Sequence, residues 1–177
     1  MIKVLFVCLG NICRSPLGES SFREIVRQRG LTDEFEVDSA GTAGYHIGKH
    51  PDRRTLEVLV ENGLVTKHIG RKLSVEDFED FDHIAVMDED NFEYVHNMYH
   101  KAKRTPPPAE KLFLIRDFDP DVRGIQEVPD PYYETKEAFE EVYQILWRSN
   151  KALLDHLMEL HGISLPAEDE NEDGISE

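Results

Sequence analysis

The chain has 177 residues, of which 40% are hydrophobic and 32% are charged, and its formal net charge is -16. This composition is typical of a soluble globular protein and excludes a transmembrane one, because no apolar run approaches the ~18 residues that a membrane span needs. The excess of acidic residues argues against nucleic-acid binding, which depends on clustered lysine and arginine.

Apolar segments rich in Val, Ile and Phe alternate along the chain with segments of helical periodicity. Strands are predicted at 2–7, 35–39, 82–87 and 111–115, and helices at 16–29, 52–62, 89–99 and 136–161. A capping box at 74–77 ("SVED") predicts the start of a further short helix. The alternation predicts a single doubly wound α/β domain, with a four-stranded parallel sheet and helices on both faces.

The end of the chain differs from the rest in composition. Residues 166–177 contain six acidic side chains and no basic one, which is typical of solvated, disordered segments. The predicted domain therefore covers residues 1–163, and an acidic, disordered tail is predicted for 164–177. Acidic residues outnumber basic ones even without the tail. The domain must therefore bind any phosphate group through donors at one local site and not through a positively charged surface.

Cys8 and Cys13 are the only cysteines. Two cysteines are too few for a disulfide framework, and they suit a reducing cytosol. The apolar start "MIKVLFVCLG" resembles a signal peptide, but Asn11 and Arg14 interrupt it and no small-residue cleavage site follows. We interpret it as the first strand and expect a cytoplasmic protein.

A loop with the sequence "CLGNICRS" (8–15) directly follows this strand. Because Arg14 and Ser15 open the next helix, the N–H groups of the loop and of the helix N-terminus converge on one point, which favours an anion. Gly10 and Asn11 suit a tight loop that needs positive φ. The planar guanidinium of Arg14 can bind two phosphoryl oxygens at once. In this environment Cys8 is favoured as a thiolate, which is the nucleophilic form.

The segment "VCLGNICRSP" resembles the phosphate-binding loop, C-x5-R-[ST], of the low-molecular-weight protein tyrosine phosphatase family. Other segments resemble further parts of that family, in the same order: "DSAGT" (38–42), "HPDRR" (50–54), "KHIGR" (67–71), "MDEDN" (87–91) and "DPYY" (130–133). The resemblance covers residues 2–162. The phosphate-binding loop that it predicts consists of Leu9, Gly10, Asn11, Ile12, Cys13 and Arg14.

The resemblance implies phosphoryl transfer through a phosphocysteine on Cys8. Arg14 and the loop N–H groups stabilise the equatorial oxygens, and Asp130 acts first as general acid and then as general base. The Ser15 hydroxyl donates to the Cys8 thiolate and so improves it as a leaving group. No metal and no cofactor are required.

The resemblance also implies supporting roles for residues around the loop. Asn11 is held by Ser39 and His68. Ile12, Tyr45, Tyr132 and Tyr133 form the cleft for the phenyl ring of the substrate. Cys13 has two interpretations, a small buried hydrophobe or a redox partner that forms a reversible disulfide with Cys8, and we favour the second.

Several alternatives compete with this interpretation. Cys8 alone is compatible with a buried structural thiol, and Asp130 before Pro131 with a simple turn. Thioredoxin-coupled arsenate reductases of this fold need further cysteines, and none follows Cys13. Protein arginine phosphatases have Thr where Ile12 stands and lack the paired tyrosines. A phosphotyrosine-binding module without turnover is the remaining alternative.

The expected partners follow from this interpretation. The substrate is a phosphotyrosine-containing protein or peptide, and the product is inorganic phosphate. We expect a monomer that binds neither nucleic acid nor a membrane.

Overall fold

The structure is a computed structural model, and it describes residues 1–122, 124 and 126–167. In chain order the elements are β1 (Ile2–Cys8), α1 (Arg14–Gln28), β2 (Phe35–Gly41), α2 (Arg53–Glu61), α3 (Asp77–Asp80), β3 (His83–Val86), α4 (Glu89–Lys103), β4 (Leu112–Leu114), a 3-10 turn (Ile115–Phe118) and α5 (Lys136–His161). All four predicted strands and all four predicted long helices are confirmed. Residues 168–177 of the predicted acidic tail lie outside the described residues, so the domain boundary at 163 stays a prediction.

The four strands form one parallel sheet in the order β2-β1-β3-β4. β1 pairs with β2 on one side and with β3 on the other. The carboxyl end of β1 is therefore the point where the strand order reverses. Ligands of doubly wound sheets bind at this point. Cys8 ends β1 there, paired in register with Gly41 of β2.

Both faces of the sheet are covered by helices, as predicted. Alternate residues of β1 point to opposite faces, so Val4 and Phe6 pack with apolar residues of α1 and α5. Leu5 and Val7 belong to a second cluster, with residues of α3 and α4. Helix α5 ends at Gly162, whose φ of 65° is a left-handed cap.

The capping box predicted at 74–77 is only half formed. The N–H of Ser74 donates to Asp77 Oδ2 at 2.8 Å, but α3 begins at Asp77 and has no side-chain cap at its N-terminus. The Asp77 carboxylate also accepts two hydrogen bonds from Arg71, each 3.0 Å long. The ion pair with Arg71 therefore holds Asp77 in addition to the hydrogen bond of the capping box.

Within the described residues, no helix is both long enough and apolar enough to cross a membrane.

A buried histidine connects the start of β3 with the end of α5. Nδ1 of His83 is 2.6 Å from the Glu110 carbonyl oxygen, and its Nε2 is 2.8 Å from Nε2 of His161. A carbonyl oxygen only accepts hydrogen bonds, so Nδ1 of His83 carries the proton. Burial is the main cause that lowers the pKa of His83 below 6.5, and His161 acts in the same direction, against the hydrogen bond to Glu110.

We expect this histidine to make the protein less stable in acid. Because its pKa is lower in the folded than in the unfolded chain, the unfolded chain takes up the proton first as the pH falls below about 6.5. The free energy of unfolding should therefore decrease below that pH, and His83→Gln should flatten the decrease. Urea unfolding between about pH 5 and 7 measures it. His50→Gln, at an exposed position, is the control; equal slopes for His83→Gln and the parent would contradict the prediction.

Candidate active site

The phosphate-binding loop joins β1 to α1. Asn11 has a φ of 58°, which confirms the expectation of positive φ at this position. The same expectation for Gly10 is wrong, because its φ is not positive. Gly10 instead permits a close approach, since a Cβ there would lie 3.0 Å from Cδ2 of His46.

Cys8 lies at the base of the loop and is 2% exposed. Its Sγ is 3.0 Å from Ser15 Oγ and accepts a hydrogen bond from the Asn11 N–H at 3.3 Å. Both groups can donate to a thiolate, and hydrogen bonds to an ionised acceptor are stronger than neutral ones. The sulfur therefore has two donors within reach that can stabilise the charge of a thiolate nucleophile.

The loop also offers main-chain donors for an anion. Within the described part of the chain, the N–H groups of Leu9, Gly10, Ile12 and Cys13 donate to no protein acceptor. They lie next to the N-terminus of α1, which begins at Arg14. Such a set of free N–H groups is suited to bind a phosphate group.

Arg14 is buried, and one nitrogen of its guanidinium is fixed by two acceptors. Nη1 donates to Asp88 Oδ2 at 2.7 Å and to the Val128 carbonyl at 3.0 Å, while Nη2 is 3.7 Å from Asp130 Oδ2. Burial by itself lowers the pKa of Arg14, but the negative charges of Cys8 and Asp88 outweigh it and the pKa is raised. Arg14 thus stays charged, with Nε and Nη2 left for phosphoryl oxygens.

Asp88 was not predicted as a site residue. It lies two residues after the end of β3, and its Oδ1 accepts a hydrogen bond from the Asn91 N–H at 2.8 Å, which caps α4. The cap fixes the carboxylate and thereby the orientation of Arg14. The sequence contained one signal for this role. Asp88 is an acidic residue at the carboxyl end of a predicted strand, and Cys8 lies at the same edge of the sheet.

Asn11 connects the loop to the residues behind it. Its Nδ2 donates to Ser15 Oγ at 2.8 Å and to Ser39 Oγ at 3.0 Å. Its Oδ1 accepts from the Arg71 N–H at 3.0 Å and lies 2.7 Å from His68 Nε2. Since this oxygen only accepts, His68 Nε2 carries a proton. The structure brings the four predicted supporting residues together and adds Arg71, which was not predicted.

Asp130 lies at the mouth of a cleft above Cys8. Its side chain is 47% exposed, and its Oδ1 accepts a hydrogen bond from the Tyr132 N–H at 3.1 Å. The cleft has a volume of about 330 Å³. Its lining includes Cys8, Ile12, Arg14, Tyr45, His46, Asp130, Tyr132 and Tyr133, of which only His46 was not predicted. Ile12 is buried, whereas Tyr133, 93% exposed, stands at the rim.

Arg54, also not predicted, holds the segment that carries Asp130. It donates from Nη2 to the Tyr132 carbonyl at 2.9 Å and from Nη1 to the Glu134 carbonyl at 2.7 Å. Asp52 fixes the guanidinium through two hydrogen bonds of 3.0 Å. The Asp52 N–H in turn donates to the Ile12 carbonyl at 2.8 Å. Asp52 and Arg54 therefore connect the phosphate-binding loop to the Asp130 segment.

Cys13 and Cys8 are both free and buried. Burial raises the pKa of Cys13, and the charges of Cys8 and Asp52 act in the same direction. Cys13 is therefore a neutral thiol at physiological pH.

A buried thiol and a fixed guanidinium on one anion-binding loop, after the first strand of a parallel sheet, define the class of cysteine-dependent phosphatases. Residues 3–161 match the model of the low molecular weight phosphotyrosine protein phosphatase family. The chain belongs to this family.

Individual relatives agree with the family match. A low molecular weight phosphotyrosine protein phosphatase of Schizosaccharomyces pombe is 45% identical over 144 residues, which are 80% of this chain and 88% of that protein. A crystal structure of a protein tyrosine phosphatase from Entamoeba histolytica with Hepes in the active site has a TM-score of 0.82 at 36% identity and covers 91% of this chain and 99% of its own. The structure of a Drosophila arginine phosphatase has a TM-score of 0.79 at 33% identity, with 88% and 98% covered.

Proposed function

We propose that the chain hydrolyses phosphotyrosine in proteins and peptides, as well as small aryl phosphates, through a phosphocysteine on Cys8. The observation that carries this proposal is that Cys8, Arg14 and Asp130 meet in one cleft with aromatic walls. The thiol lies at its base, the guanidinium lies beside it, and the carboxyl group lies at its mouth, as an in-line transfer requires.

In the first step Cys8 Sγ attacks phosphorus. The S–P bond forms as the bond between phosphorus and the phenolic oxygen breaks, and protonated Asp130 gives its proton to that oxygen. Arg14 and the loop N–H groups stabilise the charge on the equatorial oxygens. In the second step the Asp130 carboxylate takes a proton from water, which attacks phosphorus. Inorganic phosphate and the Cys8 thiolate are released, and Ser15 stabilises the thiolate.

The rim of the cleft favours an aryl phosphate. The Tyr132 and Tyr133 rings are 4.9 Å apart at 88°, and the His46 ring is 6.4 Å from that of Tyr132. A phenyl ring can pack against these exposed faces and edges while its phosphate reaches the buried thiol. Phosphoserine is too short to use the same contacts. The apolar side chain of Ile12 at the base also suits an aryl group better than a guanidinium.

Assays with matched phosphotyrosine, phosphoserine and phosphoarginine peptides, in buffer with a metal chelator, test this proposal. We expect turnover of the phosphotyrosine peptide and much less of the other two. Preference for phosphoarginine would favour arginine phosphatase activity, for which the Drosophila relative is named. Binding of phosphotyrosine without turnover would identify a binding module. A monomeric state and a cytoplasmic location stay predictions, which sedimentation and imaging of the tagged protein would test.

Arg54 should affect catalysis by positioning Asp130. Arg54→Met keeps the aliphatic part of the side chain but loses the hydrogen bonds to the Tyr132 and Glu134 carbonyls. We expect kcat for phosphotyrosine to fall about 10- to 100-fold, since small displacements of a catalytic group have effects of this size. The loss should be smaller for p-nitrophenyl phosphate, which needs the acid less. Arg53→Met is the control, because Arg53 is exposed and, among the described residues, forms a salt bridge only with Glu57. Equal losses for both substrates would contradict the positioning role.

Cys13 should protect Cys8 from irreversible oxidation. Peroxide oxidises the Cys8 thiolate to a sulfenic acid; the Cys13 thiol then attacks that sulfur, water leaves and a disulfide forms. We expect dithiothreitol to restore the activity of the peroxide-treated protein. Cys13→Ala should recover much less, because its sulfenic acid goes on to the sulfinic acid. Equal recovery of both proteins would exclude the protective role.

A further inference from the structure

A turn at residues 45–49 forms one rim of the cleft above Cys8. Tyr45 and His46 line the cleft. The N–H of Lys49 donates to the His46 carbonyl at 3.0 Å, which brings the Cα atoms of these two residues within about 7 Å of each other, as in a β-turn. The side chains of Tyr45, Ile47 and Lys49 are exposed, and the steps of phosphoryl transfer use no side chain of this turn.

The segment that contains the turn is bonded to the phosphate-binding loop at both of its ends. Before the turn, the Ala43 N–H donates to the Leu9 carbonyl at 2.9 Å, and after it the Asp52 N–H donates to the Ile12 carbonyl at 2.8 Å. The rim therefore keeps a fixed position relative to the bound phosphate, as a preorganised binding surface does.

Gly70 holds the turn from its other side. The Gly48 N–H donates to the Gly70 carbonyl, and the Gly70 N–H donates to the Lys49 carbonyl, each at 2.8 Å. A Cβ atom on residue 70 would clash with the His46 carbonyl oxygen, so only glycine permits this close approach. The two hydrogen bonds and the close contact fix the backbone of His46 and Lys49.

The rim is basic, in contrast to the chain as a whole. Residues 45–54 contain the basic residues Lys49, Arg53 and Arg54 and one acidic residue, Asp52, whereas the net charge of the chain is -16. Asp52 is bonded to Arg54 through two side-chain hydrogen bonds of 3.0 Å. Lys49 is exposed and forms no salt bridge with a described residue. Its charge is therefore available to a ligand.

The ring of His46 offers a hydrogen-bond donor beside this charge. Among the described residues, the histidine side chains that take part in hydrogen bonds or salt bridges are His68, His83 and His161. Both ring nitrogens of His46 are therefore free. An imidazole has at least one N–H group in either protonation state, so His46 can donate to an acceptor at the rim.

We propose that His46 and Lys49 select substrates with an acidic residue next to the phosphotyrosine. The inference rests on the proposed function, because it concerns a peptide whose phosphotyrosine lies in the cleft. Neighbouring Cα atoms of a peptide are ~3.8 Å apart, so a side chain one or two positions away reaches the rim. Its carboxylate would accept from the His46 N–H and be attracted by the Lys49 ammonium group.

The other rim of the cleft gives this selection a direction. It carries the acidic residues Asp130, which is half-exposed, and Glu134, which is exposed. Charges of opposite sign on the two rims fix the orientation of a charged partner, because like charges that are brought together are disfavoured. The acidic flank of the peptide should therefore lie on the side of the turn at 45–49.

Binding of phosphotyrosine peptides to the full chain with the substitution Cys8→Ser tests this inference without turnover. The peptides carry Glu or Lys at the two positions before, or the two positions after, the phosphotyrosine, and fluorescence anisotropy gives their Kd. For at least one flank the Glu peptide should bind about 5- to 10-fold more tightly, since an exposed ion pair changes affinity by up to about fivefold and a like charge acts in the opposite direction. Salt at about 0.5 M should reduce this preference by screening the charges.

Two variants assign the preference to the rim. Added to Cys8→Ser, Lys49→Gln and His46→Phe should each reduce the preference at least about twofold, because each removes one partner of the carboxylate. His46→Phe keeps an aromatic ring against Gly10 and loses the N–H groups, and Lys49→Gln changes only an exposed side chain. Lys101→Gln makes the same change in the last turn of α4 and should keep the preference.

The outcomes separate this inference from the proposed function. Equal Kd values for the Glu and Lys peptides on both flanks, or a preference that survives both Lys49→Gln and His46→Phe, would overturn the inference. Turnover of the same peptides by the parent protein tests the function: turnover without a charge preference would overturn the inference alone, and a charge preference without turnover would overturn the function alone. If none of the peptides binds, both are wrong.

Discussion

Cys8→Ser should abolish turnover of phosphate esters and leave phosphate binding intact. The serine hydroxyl is a far weaker nucleophile than a thiolate, so we expect a loss of ~10⁴ to 10⁶-fold in kcat, as for other enzymes that lose a covalent nucleophile. Phosphate should bind at least as tightly as before, because the loop N–H groups and Arg14 remain while the repelling thiolate charge is gone. Rapid-quench kinetics and phosphate titration by calorimetry measure the two effects.

Two variants separate the nucleophile from the anion site. Arg14→Ala should lose turnover and also weaken phosphate binding by more than about tenfold, since hydrogen bonds to charged groups contribute about 1.5 to 3 kcal/mol. Cys13→Ser makes the same chemical change as Cys8→Ser within the same loop and should retain turnover in reducing buffer. Appreciable phosphatase activity of Cys8→Ser in metal-free buffer would show that the covalent mechanism is wrong.

Asp130→Asn should reduce turnover most for substrates with poor leaving groups. A basic phenolate develops more charge in the transition state, so it depends more on the proton from Asp130. General acids contribute ~10² to 10⁴-fold, and we expect a loss in this range for phosphotyrosine. The loss should be smaller for p-nitrophenyl phosphate, whose anion leaves without help.

The measurement is the rate of phosphocysteine formation for a series of aryl phosphates, taken before hydrolysis of the intermediate limits the rate. Asp130→Asn should show a steeper dependence of this rate on the pKa of the leaving group than the parent. Asp121→Asn is the control, because Asp121 is an exposed acidic residue that, like Asp130, precedes α5 in the chain. This variant should keep the parent slope. Parallel slopes for Asp130→Asn and the parent would mean that Asp130 is a turn residue and that another group is the acid.

The sequence by itself determined the elements and the phosphate-binding loop. Periodicity places the strands and helices because burial of alternate or helical faces is a local property of the chain. Cys8 and Arg14 are joined by one short loop between β1 and α1, so their proximity follows from local geometry. The positive φ of Asn11 is likewise a requirement of a single residue. Asp130 was accessible only through the resemblance, because a long segment separates it from the loop.

Only the tertiary structure decided which distant side chains hold these residues. Asp88 is 74 positions from Arg14, and Arg54 is 78 positions from Tyr132, so no local pattern connects them. Gly10 shows the same limit: its residue type suggested positive φ, whereas its role is close contact with His46. Glu19 was not singled out from the sequence, but packing of α1 buries it beside His68. Local backbone requirements can be predicted from neighbouring residues, whereas partners across the sheet depend on how all the elements pack together.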